Sequence, residues 1–200
     1  MLIQKAFHTL TPPPPRDLAP ILVTFGVWSA VADLDLVWMG FPVLPLWFAL
    51  ASGTLFWLIG RMPEFYDRAH GTPQKAAVIG MSAFLVFVIL ASSLSTQAWM
   101  IQSVWIAGSI LYGLVFSVGV LMGDNEDLAM LCPRWAHAPD FTRTALWVIA
   151  IRNAFVALGA VILMNETQLT EWVVFVTLGK VAAYYVGEWF TVQAYLSRVA

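Results

Sequence analysis

Two basic residues, Arg152 and Lys180, lie near the centres of the last two long apolar stretches of the chain. If residues 142–164 form one membrane helix and residues 171–191 form its antiparallel partner, each cation lies ~13–15 Å from a helix end. The two charges then lie at similar depth. A charge at the centre of a membrane helix costs ~2.5–3.5 kcal/mol on insertion scales, so it usually faces the bundle interior, an acidic partner or water. We therefore expect any chemistry of this protein to be centred on this pair.

The polar neighbours of the two cations extend this candidate intramembrane site. Asn153 follows Arg152, and Tyr184 and Glu188 follow Lys180 by one and two helical turns. Glu188 lies ~12 Å along the helix axis from Lys180, so neither helix has an acidic residue at the depth of the cations. The pair could bond to carbonyls and serine hydroxyls of other spans, or line a hydrated cavity that accepts an anion or a lipid headgroup. Alternatively, Lys180 could be uncharged.

The composition places these residues in an integral membrane protein. The chain is 60% hydrophobic and 11% charged, with a mean hydropathy of +0.78, whereas soluble domains are about 25% charged. We therefore expect the lipid bilayer to surround this protein as its partner. The net charge of −2 and the lack of a basic cluster exclude a nucleic-acid partner.

Hydropathy predicts an all-α polytopic bundle with six membrane helices, or five helices and one short or re-entrant segment. The first apolar segment, residues 18–32, is the short one. Residues 1–17 form a cytoplasmic N-terminal tail with a polyproline spacer, and residues 18–200 form a single transmembrane domain. The apolar segments are residues 18–32, 41–60, 76–94, 103–122, 142–164 and 171–191.

The distribution of basic residues predicts the orientation of these spans. With six crossings, the connections on one side contain no lysine or arginine, which places both termini in the cytoplasm by the positive-inside rule. All basic residues other than Arg152 and Lys180 fall on the other side: Lys5, Arg16, Arg61, Arg68, Lys75, Arg134, Arg143 and Arg198.

Small residues four apart mark faces where membrane helices can approach closely. Packing within one monomer is favoured over a homodimer face. The stripes of the fourth and sixth spans are Ser109, Gly113, Ser117, Gly179, Ala183 and Gly187.

The sequence contains no recognisable catalytic constellation. Cys132 is the only cysteine, the histidines lie outside the apolar segments, and neither a nucleophile elbow nor a phosphate-binding loop is present. We therefore expect no enzyme activity, no catalytic residue, no metal site and no cofactor.

The order of these features resembles the intracellular septation protein A family of bacterial inner-membrane proteins. The resemblance is carried by Asp17-Leu18-Ala19-Pro20, Ile101-Gln102, Trp147 and Trp172-Val173-Val174-Phe175. Val176 and Leu158 stand where that family has a lysine and an asparagine, so the chain resembles a divergent member. The resemblance implies a multi-pass protein of the bacterial inner membrane that supports cell-envelope integrity, septation and cell division through membrane partners.

Three functions therefore remain open. The first is a non-enzymatic scaffold that acts through membrane protein partners. The second is a small transporter, channel or binding protein that uses Arg152 and Lys180 to hold an anion or a lipid headgroup. The third is an accessory subunit of a larger membrane complex.

Overall fold

The computed structural model describes residues 15–38, 40–69, 71–122, 132 and 139–199. Residues 1–14, which make up most of the predicted tail, lie outside this range. Apart from one short hairpin, the described elements are helical. They are α1 (Pro15–Val31), β1 (Leu36–Trp38), β2 (Phe41–Val43), α2 (Pro45–Arg68), α3 (Gly71–Ser92), α4 (Ala98–Met122), α5 (Pro139–Glu166), α6 (Leu169–Val174), a π-helical segment (Phe175–Gly179) and α7 (Lys180–Val199).

Within the part of the chain that the structure describes, four stretches are helical, long and apolar enough to cross a membrane, which agrees with the predicted all-α membrane protein. They are Gly71–Ser92, Ala98–Met122, Phe141–Glu166 and Leu169–Ser197. The apolar part of α1, Asp17–Val31, is shorter. The six-span count stays a prediction.

The second predicted span, residues 41–60, is wrong at its start. Phe41–Val43 forms the second strand of an antiparallel hairpin with Leu36–Trp38, and the helix begins only at Pro45. Gly40 adopts φ +84° between the strands, a conformation that favours glycine. A hydropathy window misses this change because strand and helix are both apolar here.

The chain folds into two compact units. Among the described residues, 15–105 and 163–177 form the first unit, and those within 106–162 and 178–199 form the second.

In the first unit, α1 and α2 pack closely at Gly53. A Cβ atom at this position would collide with the Thr24 hydroxyl and would lie 2.8 Å from the Pro20 carbonyl oxygen. The Thr24 hydroxyl itself donates to that carbonyl at 2.9 Å. Only glycine therefore allows the two backbones to approach this closely.

An ion-pair network joins the start of α1 to the end of α2. Arg61 pairs with Asp17 of α1 and, at 3.0 Å, with Glu64 one turn later; Arg68 also contacts Glu64, at 3.3 Å. The network lies at the end of the helix pair away from the hairpin, so the two helices run antiparallel.

α2 and α3 are joined by a hydrogen bond from a buried tryptophan. Trp47 Nε1 donates to the Ile89 carbonyl at 2.8 Å, and the Ser92 hydroxyl donates to the same oxygen at 2.8 Å. Ile89 belongs to the last turn of α3, whose carbonyls have no partner within the helix. These two donors therefore satisfy a carbonyl oxygen at the helix end.

The last span contains a π-helical turn immediately before Lys180. Within this turn the Thr177 hydroxyl donates to the carbonyls of Val173 at 2.6 Å and Val174 at 3.2 Å. A π turn changes the hydrogen-bond register of a helix and often marks a functional position. Thr177 thus supplies a donor to carbonyls at the place where the register changes.

In the second unit, an apolar cluster packs the end of α4 against the start of α5 and the end of α7. Leu146 is fully buried, and Phe116, Val120 and Phe141 belong to the same cluster. Arg143 Nη1 donates to the Val120 carbonyl at 2.9 Å, within the last turn of α4. A cation there completes an orphan carbonyl and is favoured by the helix dipole.

Candidate functional site

The side chain of Arg152 crosses from α5 to α7 at Gly187. A Cβ atom at Gly187 would lie 3.4 Å from Arg152 Cδ and 3.5 Å from Val148 Cγ1. The missing side chain at Gly187 therefore leaves a shallow space in which the aliphatic part of Arg152 lies against the backbone of α7.

The guanidinium of Arg152 lies over the ring of Tyr184. Its Cζ atom is 5.4 Å from the ring centroid. A cation over a tyrosine ring within ~6 Å is attracted by the ring quadrupole, more strongly where water is excluded. This contact fixes the level of Arg152 along α7.

Lys180, Tyr184 and Glu188 lie on one stripe of α7 because they are four residues apart. Arg152, positioned at Tyr184, therefore lies ~6 Å along the helix axis from each of the other two. Glu188 is 9% exposed. Along this stripe Lys180 comes first, Tyr184 with Arg152 over its ring lies one turn later, and Glu188 lies one turn beyond Tyr184.

Arg152, over the Tyr184 ring, and Lys180, one turn away on the same stripe of α7, lie near enough for like charges to repel each other. With Lys180 and Arg152 positive and Glu188 negative, this group of three carries a net charge of +1 when all are ionised. Repulsion between like charges is strong in a medium of low dielectric constant.

Asn153 does not join this group, although it follows Arg152 in the sequence. Its Cβ lies 3.5 Å from the position of a Cβ built on Gly113 of α4, and its Nδ2 donates to the Ile149 carbonyl at 2.8 Å. Consecutive helical residues point about 100° apart, so Arg152 faces α7 whereas Asn153 faces α4. The structure thus separates the predicted site into Arg152 with Lys180, Tyr184 and Glu188, and Asn153 alone.

The predicted packing residues lie in different surroundings. Gly113 is buried against Ala150 and Asn153, and Gly187 is buried against Arg152. Gly113 and Ser117 line a groove of about 290 Å³ between α4 and α5. Ser109, Ser117, Gly179 and Ala183 are half-buried.

Two features of the site are not evident from the sequence. The small-residue stripe predicts that Gly187 packs against another helix, but it does not identify Arg152 as the neighbour. The π turn of Phe175–Gly179 precedes Lys180, and apolar residues of this kind give no pattern that distinguishes a π turn from an α-helix.

Within the described residues, no group of three or more histidine, cysteine or acidic side chains is placed to hold a metal ion. No protein-family model, no curated protein and no solved structure matches the chain. The resemblance to the septation family therefore stays a prediction, and the case for a function depends on the geometry of the site.

Proposed function

We propose that this protein is a non-catalytic membrane protein that binds a phosphate-type oxyanion between Arg152 and Lys180. One observation carries the proposal: Arg152 of α5 lies over the ring of Tyr184, one helical turn from Lys180 on α7, so two cations lie near each other in the middle of the predicted spans. An anion between them replaces their mutual repulsion with two attractions. With all three ionised, Arg152, Lys180 and Glu188 carry a net charge of +1, which favours such a ligand.

The two side chains suit an oxyanion. The guanidinium of Arg152 presents five N–H donors in a planar fork that matches phosphate, and the ammonium of Lys180 adds a compact charge. Both residues also make interactions inside the protein. Their several donors allow a ligand to bind in addition to these partners.

The phosphate could belong to a lipid headgroup or to a free anion, and the chemistry of recognition is the same. Lipid bound to the purified protein would be measured by native mass spectrometry from membranes rich in anionic phospholipid. Free anion would be measured by equilibrium binding of radiolabelled inorganic phosphate to protein exchanged into a lipid-free, non-ionic detergent.

The informative variants are Arg152→Gln and Lys180→Gln, with Lys75→Gln as a matched control. Lys75 lies 5.1 Å from the Tyr66 ring centroid in the other compact unit, so its removal deletes a lysine charge elsewhere. We expect loss of the ligand in both site variants and retention in the control. Equal ligand in all four proteins, or no ligand in wild type by either method, would contradict the proposal.

The topology and location of the protein form part of the same proposal. Six crossings with both termini in the cytoplasm and insertion in the bacterial inner membrane follow from the distribution of basic residues and from the family resemblance. The four membrane-length helices and the antiparallel α1–α2 pair support an arrangement of this kind. The role in septation and envelope integrity is an expectation from the resemblance alone.

A further inference from the structure

Glu188 places a buried carboxylate beside the proposed anion site. The residue is 9% exposed and lies one turn beyond Tyr184, on the same stripe of α7 as Lys180. A carboxylate repels an anionic ligand, so Glu188 does not strengthen binding. Its negative charge instead limits how much negative charge the site can accept.

The charge of the site can be counted because the helices of this unit have no other charged residue near the middle of their lengths. The other charged residues of α5 and α7 lie near the helix ends, and α4 contains none. Arg143, the nearest of them to Arg152 along α5, lies ~14 Å away along the axis and donates to the Val120 carbonyl of α4. With Arg152 and Lys180 positive and Glu188 negative, the site carries a net charge of +1.

A ligand with one negative charge matches this site better than a ligand with two. Attraction to the cations increases in proportion to the charge of the ligand, whereas the free energy needed to remove an ion from water increases with the square of its charge. A monoanion leaves the group without net charge. A dianion leaves one negative charge without compensation, which is strongly disfavoured away from water.

Glu188 lies close enough to the ligand position to impose this difference. A ligand between Lys180 and Arg152 lies at a level between residues 180 and 184, which is one and a half turns or ~9 Å along the axis from Glu188. At this distance and an effective dielectric constant of ~20, repulsion by the carboxylate weakens binding ~10-fold for each negative charge of the ligand. A dianion is therefore weakened by this factor twice, and a monoanion once.

We propose that the site selects oxyanions with a single negative charge and that Glu188 determines this selectivity. The ligand class is then a phosphodiester, the form of phosphate in most phospholipid headgroups. A phosphate monoester, with a charge of about −1.5 to −2 at pH 7, is disfavoured. This inference rests on the proposed anion site and adds to it the charge of the ligand.

Two small oxyanions of similar geometry and different charge test the selectivity. Methanesulfonate carries one negative charge and sulfate carries two, and neither changes its charge near neutral pH. Each would compete with radiolabelled inorganic phosphate for the full-length protein in a lipid-free, non-ionic detergent at constant ionic strength. The ratio of the two inhibition constants measures the charge preference of the site.

The informative variants are Glu188→Gln, which removes the charge with little change of shape, and Glu188→Asp, which retains the charge. Glu166→Gln, at the exposed end of α5 in the other compact unit, is the matched control. Wild type, Glu188→Asp and the control should bind methanesulfonate more tightly than sulfate. Glu188→Gln should bind both more tightly and shift the ratio ~10-fold towards sulfate. Misfolding cannot produce this result, because the variant gains affinity.

A lipid arm tests the same selectivity for headgroups. The protein would be reconstituted in phosphatidylcholine vesicles with equal amounts of phosphatidylglycerol, a phosphodiester, and phosphatidic acid, a phosphate monoester. Native mass spectrometry of the extracted protein then identifies the retained lipid. We expect wild type to retain phosphatidylglycerol and Glu188→Gln to shift towards phosphatidic acid.

The two arms separate failure of the selectivity from failure of the anion site. Tighter or equal binding of the doubly charged ligand by wild type, or an unchanged ratio in Glu188→Gln, would overturn the selectivity alone if Arg152→Gln still abolishes binding. The absence of any bound ligand in wild type in both arms would contradict the proposed function itself.

Discussion

The guanidinium carbon of Arg152 lies 5.4 Å from the centroid of the Tyr184 ring and joins the middle of α5 to the second turn of α7. The contact holds Arg152 one turn from Lys180 on one side and one turn from Glu188 on the other. An aromatic ring thus positions one cation near a second cation.

Tyr184 should contribute to ligand binding by positioning Arg152. Tyr184→Leu removes the ring and, with it, ~0.5–2 kcal/mol of cation–π attraction. We expect several-fold weaker phosphate binding in this variant, whereas Tyr184→Phe retains the ring and should bind like the wild type. Titration of the purified variants with labelled phosphate measures the difference, and identical affinities for Tyr184→Leu and Tyr184→Phe would argue against this role.

Gly187 should tolerate a methyl group but not a large side chain. The built Cβ lies 3.4 Å from Arg152 Cδ, which is ordinary van der Waals contact, so Gly187→Ala should preserve folding and phosphate binding. Gly187→Leu should displace Arg152 and reduce phosphate binding as strongly as Arg152→Gln does. Thermal unfolding in detergent, run beside the binding assay, identifies a misfolded variant. Normal binding by a folded Gly187→Leu protein would contradict the described path of the arginine.

Gly53 should be far less tolerant of alanine than Gly60 on the same helix. A Cβ at Gly53 meets the Pro20 carbonyl oxygen at 2.8 Å, whereas a Cβ at Gly60 has no neighbour within 4 Å. We expect Gly53→Ala to lower the free energy of unfolding by ~1–3 kcal/mol, the usual cost of overpacking. Gly60→Ala should be neutral or slightly stabilising because alanine favours helix. Unfolding by sodium dodecyl sulfate in mixed micelles gives both values, and equal stabilities would refute the close approach of α1 and α2.

The hydroxyl of Thr177 should stabilise the π turn before Lys180. Thr177→Val is nearly isosteric but cannot donate to the carbonyls of Val173 and Val174, so we expect a loss of ~1 kcal/mol of stability. Faster amide exchange over the π turn should accompany it. Thr177→Ser restores the donor and should restore protection. Unchanged exchange in Thr177→Val would show that the hydroxyl does not support the turn.

The sequence predicted the candidate site in part, because the depth of a residue along a helix can be read from its position in an apolar stretch. The sequence predicts similar depths for Arg152 and Lys180, and the structure places Arg152 over Tyr184, one helical turn from Lys180. The sequence also places Asn153 in the candidate site, because it directly follows Arg152. Helical geometry instead turns it towards Gly113, and the helix faces could not be assigned without knowing which helices pack together.

Hydropathy predicts the long apolar helices of this fold. It does not predict the hairpin or the π turn, because these depend on which backbone groups form hydrogen bonds. The four membrane-length helices follow directly from long apolar runs. The hairpin at Phe41–Val43 and the π turn at Phe175–Gly179 are equally apolar, so nothing in their composition separates them from the helices that they interrupt.

The most direct test of the central claim is solid-state NMR recoupling between nitrogen in the site and phosphorus in the ligand. Protein carrying Lys5→Gln and Lys75→Gln retains Lys180 as its only lysine, so lysine labelled with ¹⁵N at Nζ reports this site alone. The protein would be measured in anionic phospholipid bilayers and, separately, in detergent with inorganic phosphate. The proposal predicts dephasing of the Lys180 Nζ signal by ³¹P in at least one preparation, and its loss when Arg152→Gln is added. An undiminished Nζ signal in both preparations would contradict an anion bound between Arg152 and Lys180.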